Sequence, residues 1–222
     1  MKLKPLIIIV SVIVGLYLAY DYKAPTRTWR YEIAITLSTP DGDQTFSAVR
    51  QVRVASPMPL LELPQVTSSK KVKGEAVVID IKDRPTVFAI MDQNGSHTDV
   101  LDALLEKRAA AYTPDGIRKL ANIKAGTSAP LPKEHWPEFV YFEDINDPKT
   151  AQKIEASMIP FVLGENVDIK NIQITMTNKR ITRKVDASLA WLESLDGSYL
   201  HGGSTSRGAP YGMHGGFFKR GE

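Results

Sequence analysis

The chain contains no cysteine. This absence excludes disulfide bonds, thiol nucleophiles, and zinc or iron–sulfur sites built on cysteine. It also excludes lipid attachment to an N-terminal cysteine. A chain without thiols suits an oxidising compartment, because no thiol can mispair there.

Concentrated basic charge and the common catalytic motifs are also missing. The net charge of +3 over 222 residues is too small to predict nucleic-acid binding, which needs a clustered basic face. There is no G-x-S-x-G nucleophile elbow, no G-x-x-x-x-G-K-[ST] phosphate loop and no G-x-G-x-x-G dinucleotide turn. No metal-ligand spacing occurs among the four histidines, which are His97, His135, His201 and His214. We therefore assign no catalytic, cofactor-binding or metal-ligating residue and expect no cofactor.

The most apolar stretch lies near the N-terminus, at residues 6–20, and carries no charge. Its fifteen residues would reach about 22 Å as a helix. A cleaved signal peptide, an uncleaved membrane anchor and a buried core helix are the competing interpretations. A signal peptidase needs small residues where Tyr17 or Tyr22 stands, and a core helix normally has a polar face. The pattern therefore favours an uncleaved anchor at residues 1–24.

The orientation of this anchor follows from its flanking charges. Two lysines precede the apolar stretch and favour a cytoplasmic N-terminus, although three cations after the stretch weaken the argument. We therefore expect a single-pass protein of the inner membrane whose folded part is periplasmic. The membrane and an envelope protein are the expected partners.

Residues 25–200 are expected to form one α+β domain, with a mostly antiparallel sheet and helices on one side. Residues 29–37 alternate between apolar and polar side chains, and residues 44–54 read as the return strand of a β-hairpin. Arg50 interrupts the apolar face of that return strand. We interpret it as an edge-strand arginine that reaches solvent, with a binding-site charge as the alternative.

A second hairpin is predicted from residues 74–81 and 85–91. Their apolar residues are nearly continuous, which indicates burial on both faces. Shorter patterns predict an irregular segment at 56–67, a polar loop at 68–73, a helix from 96–99 to about 112, a short helix capped by Thr113, a loop at 125–133, strands at 136–142 and 168–177, a short helix at 148–156, and a last helix at 189–195 that Gly197 ends.

The oxygen-rich turn at residues 144–148 has two interpretations. Its carboxylates could bind Ca²⁺, but an EF-hand loop also needs a glycine at the sharp turn and a distal glutamate. Alternatively, Asp147 caps a helix with Pro148 at its first position, which we favour.

The C-terminal residues 201–222 include seven glycines and no aliphatic cluster. Such a segment cannot bury enough apolar surface to order itself. We therefore predict a disordered glycine-rich tail.

Three motifs carry a resemblance to a known family: residues 74–80 (GEAVVID), 142–150 (FEDINDPKT) and 191–202 (WLESLDGSYLHG). In them the chain resembles a group of uncharacterised bacterial proteins, chiefly proteobacterial, and the last motif is the most specific. The resemblance covers most of residues 26–202. It implies an envelope protein with an N-terminal membrane segment and one α+β domain, and it implies no activity. The glycine-rich tail is longer than the family pattern.

Two functions remain open at this point. The leading hypothesis is a binding or scaffolding module of the cell envelope, and the alternative is an extracytoplasmic hydrolase whose site assembles only in space. A deep pocket with clustered carboxylates, or with His97 and His135 together, would favour the enzyme. A shallow apolar or charged groove on the sheet would favour binding.

Overall fold

The structure is a computed structural model that describes residues 3–56, 69–91, 104, 113–195, 199–200 and 213–221. The α-helices in this part of the chain are α1 (Leu3–Lys23), α2 (Pro114–Ala121), α3 (Ile159–Leu163) and α4 (Val185–Ser188). The strands are β1 (Thr26–Thr39), β2 (Gly42–Ala55), β3 (Ser69–Glu75), β4 (Val77–Ile79), β5 (Val87–Ala89), β6 (Ser128–Pro130), β7 (Phe139–Phe142), β8 (Ala151–Ile154), β9 (Asp168–Met176) and β10 (Lys219–Arg220).

These strands form two antiparallel sheets, and α-helices accompany them, so the α+β class predicted from the sequence is confirmed. One sheet has six strands in the order β10-β3-β2-β1-β9-β6, and the other has four in the order β4-β5-β7-β8. The prediction of a single sheet is wrong, because the strands form two sheets. The prediction of helices on one side is also wrong, because α2 packs into one apolar cluster and α4 into another. The chain moves from the first sheet to the second between Glu75 and Val77, where β3 ends and β4 begins.

The β1–β2 hairpin forms as predicted and is the longest pairing in the fold, from Thr26 opposite Ala55 to Thr39 opposite Gly42. The alternation in β1 explains its burial. Trp29, Tyr31, Ile33, Ile35 and Leu37 are all at most 5% exposed, while the residues between them are half-buried. A strand with period-two alternation presents one apolar face to a core, which is what β1 does.

The four-stranded sheet is buried on both faces, as the continuous apolar runs predicted. Val77, Ile79, Val87 and Phe139 belong to the cluster shared with the six-stranded sheet. The alternate residues Val78, Phe88, Val140 and Phe142 belong to a second cluster, which is closed by residues after β9. The central position of this sheet therefore depends on chain segments far away in sequence.

The short helix α2 begins as its sequence predicted. The Thr113 side-chain oxygen accepts a hydrogen bond from the Gly116 amide at 3.1 Å, and Pro114 occupies the first turn. Ile117 and Leu120 are fully buried against β1. N-cap chemistry and an apolar stripe thus define this helix locally.

Several loop and helix predictions are wrong. Residues 69–73, predicted as a loop, belong to strand β3, and the predicted loop at 125–133 contains β6. The predicted helix at 148–156 is one 3-10 turn, Pro148–Thr150, followed by β8. The predicted strand at 136–142 begins at Phe139, after a 3-10 turn that ends at His135. Strand β9 lies where it was predicted.

The predicted helix at 189–195 is wrong: α4 ends before it at Ser188, and within it only Leu192–Leu195 form a 3-10 turn. Leu189 and Leu192 are buried in the second cluster as expected. Trp191 is half-buried; its ring lies edge-on to Phe142 at 5.6 Å, and its indole N–H donates to the Ile145 carbonyl at 2.7 Å. Apart from Ser56 and Leu104, the predicted irregular segment at 56–67 and the predicted helix before Thr113 lie outside the described residues.

The prediction of a disordered tail is wrong for Met213–Gly221. Phe218 is fully buried, and its ring lies 5.6 Å from that of Phe88. The Phe218 carbonyl accepts a hydrogen bond from the Ala76 amide at 2.7 Å, and the Phe217 carbonyl accepts one from Met91 at 2.8 Å. The prediction from composition failed because Phe217 and Phe218 bury apolar surface and form backbone hydrogen bonds with the assembled sheets, which the sequence of the segment does not show.

Helix α1 runs almost directly into β1 and is held there by polar contacts. The guanidinium of Arg27 donates two hydrogen bonds to Asp21, at 2.5 and 2.6 Å. Arg118, on α2, donates to the Tyr22 carbonyl at 2.7 Å and lies 4.9 Å above the Tyr22 ring. Within the described residues, no helix has both the length and the apolar character needed to cross a membrane.

Candidate functional site

Three chain segments that are distant in sequence meet beside the outer edge of the six-stranded sheet. They are the end of β3, the C-terminal strand β10, and residues 177–184, which we call the crossing segment. Strand β10 pairs with β3, so that Lys219 lies opposite Glu75 and Arg220 opposite Gly74. The candidate site is the cleft that these three segments enclose.

The crossing segment runs from β9 over β1 and β2 to β3. At its start, the Thr177 amide donates to the Arg30 carbonyl on β1 at 3.0 Å. Further on, the Thr182 hydroxyl accepts a hydrogen bond from the Val49 amide on β2 at 3.1 Å. At its end, the Lys184 amide donates to the Glu75 carboxylate at 2.9 Å. These successive partners position the segment across the sheet.

Charged side chains also hold the crossing segment. Lys179 forms an ion pair with Glu32 at 2.7 Å, and Ser47 donates to the same carboxylate at 2.9 Å. Partial burial acts to raise the pKa of Glu32, but the hydrogen bonds from Lys179 and Ser47 outweigh it, so the pKa lies below the ordinary value. Glu32 is therefore ionised near neutral pH and keeps its contact with the segment.

Glu75 lines the cleft, and it lies next to Arg50; both charged residues are buried, at 1% and 0% exposed. The Arg50 Nε donates to the Glu75 backbone carbonyl at 3.0 Å. The two carboxylate oxygens of Glu75 accept hydrogen bonds from the amides of Lys184 and Val185 at 2.9 and 3.0 Å. Buried charges need such hydrogen bonds to offset the loss of hydration.

The interpretation of Arg50 as an edge-strand arginine that reaches solvent is wrong. Strand β2 is an inner strand between β1 and β3, so the guanidinium is covered. Its alternative, a binding-site charge, stays a prediction, because Arg50 does not line the cleft.

Glycine is required where β3 passes Arg50. Gly74 has a φ of +150°, and a Cβ there would lie 2.8 Å from Cγ and 3.1 Å from Cα of Arg50. Real Cβ atoms do not approach other atoms so closely, and the backbone of Arg50 cannot move aside without breaking the β2 pairing. Gly74 thus lets β3 pass close to Arg50 and deliver Glu75 to the floor of the cleft.

The cleft has a volume of about 160 Å³ and a strongly cationic lining. The lining residues are Lys73, Gly74, Glu75, Ile181, Thr182, Arg183, Lys219, Arg220 and Gly221. Among the described lining residues, four carry positive charge and one carries negative charge. Lys219 also pairs with Asp186 at 2.8 Å and lies 3.9 Å from Glu193, so part of its charge is balanced outside the cleft.

His214 lies in the segment predicted as a disordered tail, and it has a defined role there as a cap. Its Nδ1 accepts a hydrogen bond from the Gly216 amide at 3.0 Å and caps the 3-10 turn Gly215–Phe217. Burial lowers the pKa of His214, and the nearby charge of Arg220 lowers it further. The neutral ring is the form that can accept this hydrogen bond.

Where the structure describes the other sequence candidates, they do not line the cleft. His135 is half-buried at the end of an otherwise exposed 3-10 turn, and His97 and His201 lie outside the described residues. At the oxygen-rich turn, Asp147 accepts from the Lys149 amide at 2.9 Å, as the capping interpretation predicted. In the described ranges, no group of three or more histidine or acidic side chains is arranged to hold a metal ion.

Comparison of the chain with protein-family models, with curated proteins and with solved structures found no match. The family resemblance drawn from the three sequence motifs therefore stays a prediction.

Sequence reasoning missed the cleft, because its cations come from segments predicted as a loop, an unassigned connection and a disordered tail. The signal that could have located it was local. The sequences KKVK at residues 70–73, KRITRK at 179–184 and FFKR at 217–220 concentrate positive charge in a chain whose net charge is small. Their meeting at one edge depends on the tertiary fold.

Proposed function

We propose that this chain is a membrane-anchored binding module of the cell envelope and that it takes its ligand at the cationic cleft. The observation that carries the proposal is the convergence of Lys73, Arg183, Lys219 and Arg220 from three segments around one opening. A charged groove beside a sheet was the feature expected of a binding module, whereas clustered carboxylates were expected of a hydrolase. The lining of the cleft favours the binding role.

Support for the anchor comes from helix α1. Its large apolar side chains between Ile7 and Tyr22 are 49–70% exposed, and they lie on all sides of the helix. A helix that exposes apolar residues all round is stable in lipid or against a partner, and unfavourable in water. We propose that α1 lies in the inner membrane and that the domain lies on the periplasmic side.

The contacts at the end of α1 also orient the domain relative to its anchor. The Asp21–Arg27 pair and the Arg118 contacts to Tyr22 bind the last turn of α1 to β1 and α2. A domain held in this way has a preferred orientation relative to its anchor. The cleft would then have a defined orientation relative to the membrane surface.

The anchor can be tested by extraction of membranes from cells that produce the full chain. We expect the protein to stay in the membrane fraction at alkaline pH. Replacement of both Ile9 and Ile13 by arginine should release it, because a cation at the bilayer centre costs about 2.5–3.5 kcal/mol on insertion scales. Phe161→Arg is the matched control, since Phe161 is 79% exposed on the domain. Release of the unaltered protein would contradict the anchor, and trypsin digestion of spheroplasts reports the side of the domain.

The binding role can be tested with a photo-crosslinking residue placed in the full chain within cells. Position 183 lies in the cleft, and position 170 lies on β9, away from it. We expect adducts at position 183 that are absent at position 170. Equal labelling at both positions, or none at 183, would contradict a binding role for the cleft.

A further inference from the structure

We propose that the end of the domain next to α1 is a docking surface for the anionic phospholipid headgroups of the bilayer that α1 enters. We call this surface the anchor face and define it by four cations, Lys23, Arg53, Lys71 and Lys119. The inference rests on the proposed anchor and adds a second lipid contact, which the folded domain itself makes. It is separate from the cationic cleft, since none of these four residues is among the described residues that line the cleft.

The connection between α1 and β1 holds the anchor face beside the last turn of α1. Helix α1 ends at Lys23 and β1 begins at Thr26, and the two residues between them are buried. The Pro25 carbonyl accepts a hydrogen bond from the Ser56 amide, just after β2, at 3.0 Å. The connection is therefore short and fixed by contacts with the sheet, and it keeps this end of the sheet next to the membrane surface.

The side chains at the end of α1 mark the level of the headgroups. Tyr20 and Tyr22 are 50% and 70% exposed, and tyrosine rings are enriched at the boundary between the hydrocarbon and the headgroups. Lys23 follows them directly. Lys119 is exposed on α2, next to Arg118, whose guanidinium donates to the Tyr22 carbonyl at 2.7 Å. Both lysines therefore lie near the level of the headgroups.

Arg53 and Lys71 add two cations on the outer face of the six-stranded sheet, near the same end. Thr28, Arg53 and Lys71 lie opposite one another on β1, β2 and β3, two residues or about 7 Å from the start of β1. Arg53 is exposed because its neighbours Val52 and Val54 point into the core. The distance of both cations from the end of the sheet is about one Debye length at physiological salt, so headgroup charge acts on them.

The pair formed by Arg53 and Lys71 is unfavourable in the domain alone. Like charges that lie directly opposite on neighbouring strands destabilise a sheet. In the part of the chain that the structure describes, neither side chain has a hydrogen-bond or ion-pair partner, and the same holds for Lys23 and Lys119. Anions supplied from outside the chain would offset this repulsion, and an anionic leaflet provides them.

The described carboxylates of the helices at this end are already paired. Asp21 forms an ion pair with Arg27 at 2.5 Å, and Asp115 forms one with Arg118 at 2.6 Å. Acidic residues are absent from the sequence stretches that form this end of β1, β2 and β3, namely 26–31, 50–56 and 69–74. The positive charge of the anchor face is therefore not balanced by these helices or by these strand ends.

The opposite end of the same sheet has the opposite sign of charge. Asp41 and Asp43 lie at the turn between β1 and β2, and Asp168 begins β9 opposite Ser38. Lys170 is paired with Asp43 there. Charge is thus separated along the strand axis of the described domain, although the net charge of the whole chain is only +3. Such a separation orients the domain in the field of an anionic surface, with the anchor face toward the lipid.

Lipid is the occupant that the fold itself brings to the anchor face. Because α1 joins the domain to the bilayer, contact with headgroups is intramolecular and has a high effective concentration. Each cation near an anionic leaflet strengthens such a contact about fivefold. An acidic protein would have to enter the space between the domain and the membrane.

The test places the full chain in vesicles of phosphatidylcholine, with or without phosphatidylglycerol. The chain has no cysteine, so Thr28→Cys and, separately, Ser38→Cys each provide one position for a fluorophore. Both positions are exposed on the same face of β1, about 33 Å apart along the strand. A quencher on a constant fraction of the phosphatidylcholine headgroups reports how closely each fluorophore approaches the bilayer. Flotation with the vesicles measures insertion of α1 independently.

We expect phosphatidylglycerol to increase quenching at position 28, to leave it nearly unchanged at position 38, and to lose this effect at raised ionic strength. Combined Arg53→Gln and Lys71→Gln substitutions should weaken the lipid contact about 25-fold, from about fivefold per cation, and remove the increase. Combined Lys82→Gln and Lys149→Gln substitutions are the matched control. They also remove two exposed charges, but from connections of the four-stranded sheet, and should retain the increase.

Equal quenching in the two kinds of vesicle would overturn the inference and leave an acidic protein as the occupant of the anchor face. An equal loss in the test and control variants would also overturn it, because the net charge of the chain would then explain the effect. The two proposals fail separately. A chain that floats with the vesicles but does not respond to phosphatidylglycerol removes only the docking surface, whereas a chain that does not float removes the anchor and the docking surface with it.

Discussion

Replacement of Phe218 by alanine tests whether the C-terminal segment belongs to the core. The side chain is fully buried, and its ring lies 5.6 Å from that of Phe88 and 5.8 Å from that of Phe142. Phe→Ala substitutions in cores cost about 3–5 kcal/mol, which combines lost apolar burial with the cavity left behind. For a domain of this size, each kcal/mol lowers the melting temperature by about 2–4 °C, so the expected decrease is roughly 6–20 °C.

The assay is thermal unfolding followed by near-ultraviolet circular dichroism, which reports the packing of aromatic rings. Phe161→Ala is the matched control, because the same atoms are removed from a side chain that is 79% exposed. We expect it to change stability by less than about 0.5 kcal/mol. If Phe218→Ala has an effect as small as that of the control, the C-terminal segment does not close the second cluster, and the cleft loses one of its walls.

Three further predictions concern single residues near the cleft and at the oxygen-rich turn. Gly74→Ala should lower the melting temperature by several degrees in the same assay, because the added Cβ would collide with Arg50; an unchanged temperature would refute the close passage of β3. His214 has a lowered pKa, so the unfolded chain binds its proton more readily, and stability should fall as pH decreases through about 6.5. Melting temperatures of the protein and of His214→Asn, compared at pH 7.5 and 5.5, should show a smaller decrease in the variant, and equal decreases would contradict the assignment. Asp147→Ala should cost about 1 kcal/mol in chemical denaturation through loss of the cap on Lys149, whereas a rise in melting temperature with millimolar calcium would contradict capping as its sole role.

Elements defined by neighbouring residues were predictable from the sequence. Strand β1 has a buried face because its apolar side chains recur every second residue, and that period depends only on strand geometry. Helix α2 begins where Thr113 can cap it and Pro114 fits the first turn. The Asp147 cap likewise involves residues two positions apart. In each of these elements the interaction that defines the structure lies within a few residues.

Strand β3 and strand β10 could not be predicted in this way. Strand β3 has three lysines among its seven residues and no apolar alternation, and β10 contains only Lys219 and Arg220. Both are strands because a neighbouring strand offers unpaired backbone groups, and backbone hydrogen bonds do not depend on side-chain type. Sequence patterns report side-chain preference and therefore miss such pairing.

Burial of charge and assembly of the cleft were decided only by the tertiary structure. Arg50 looks like a surface arginine in its own segment, and it is buried on the inner strand β2 against Gly74 and Glu75 of β3. Glu75 tolerates burial because amides more than a hundred residues away bind its carboxylate. The sequence alone determined the apolar α1, the α+β class and the local hairpins, since these follow from periodicity and composition. The cationic cleft required residues 73, 183 and 220 to line one opening, and their proximity depends on loop closure over long stretches of chain and has no signature in any one of the three segments.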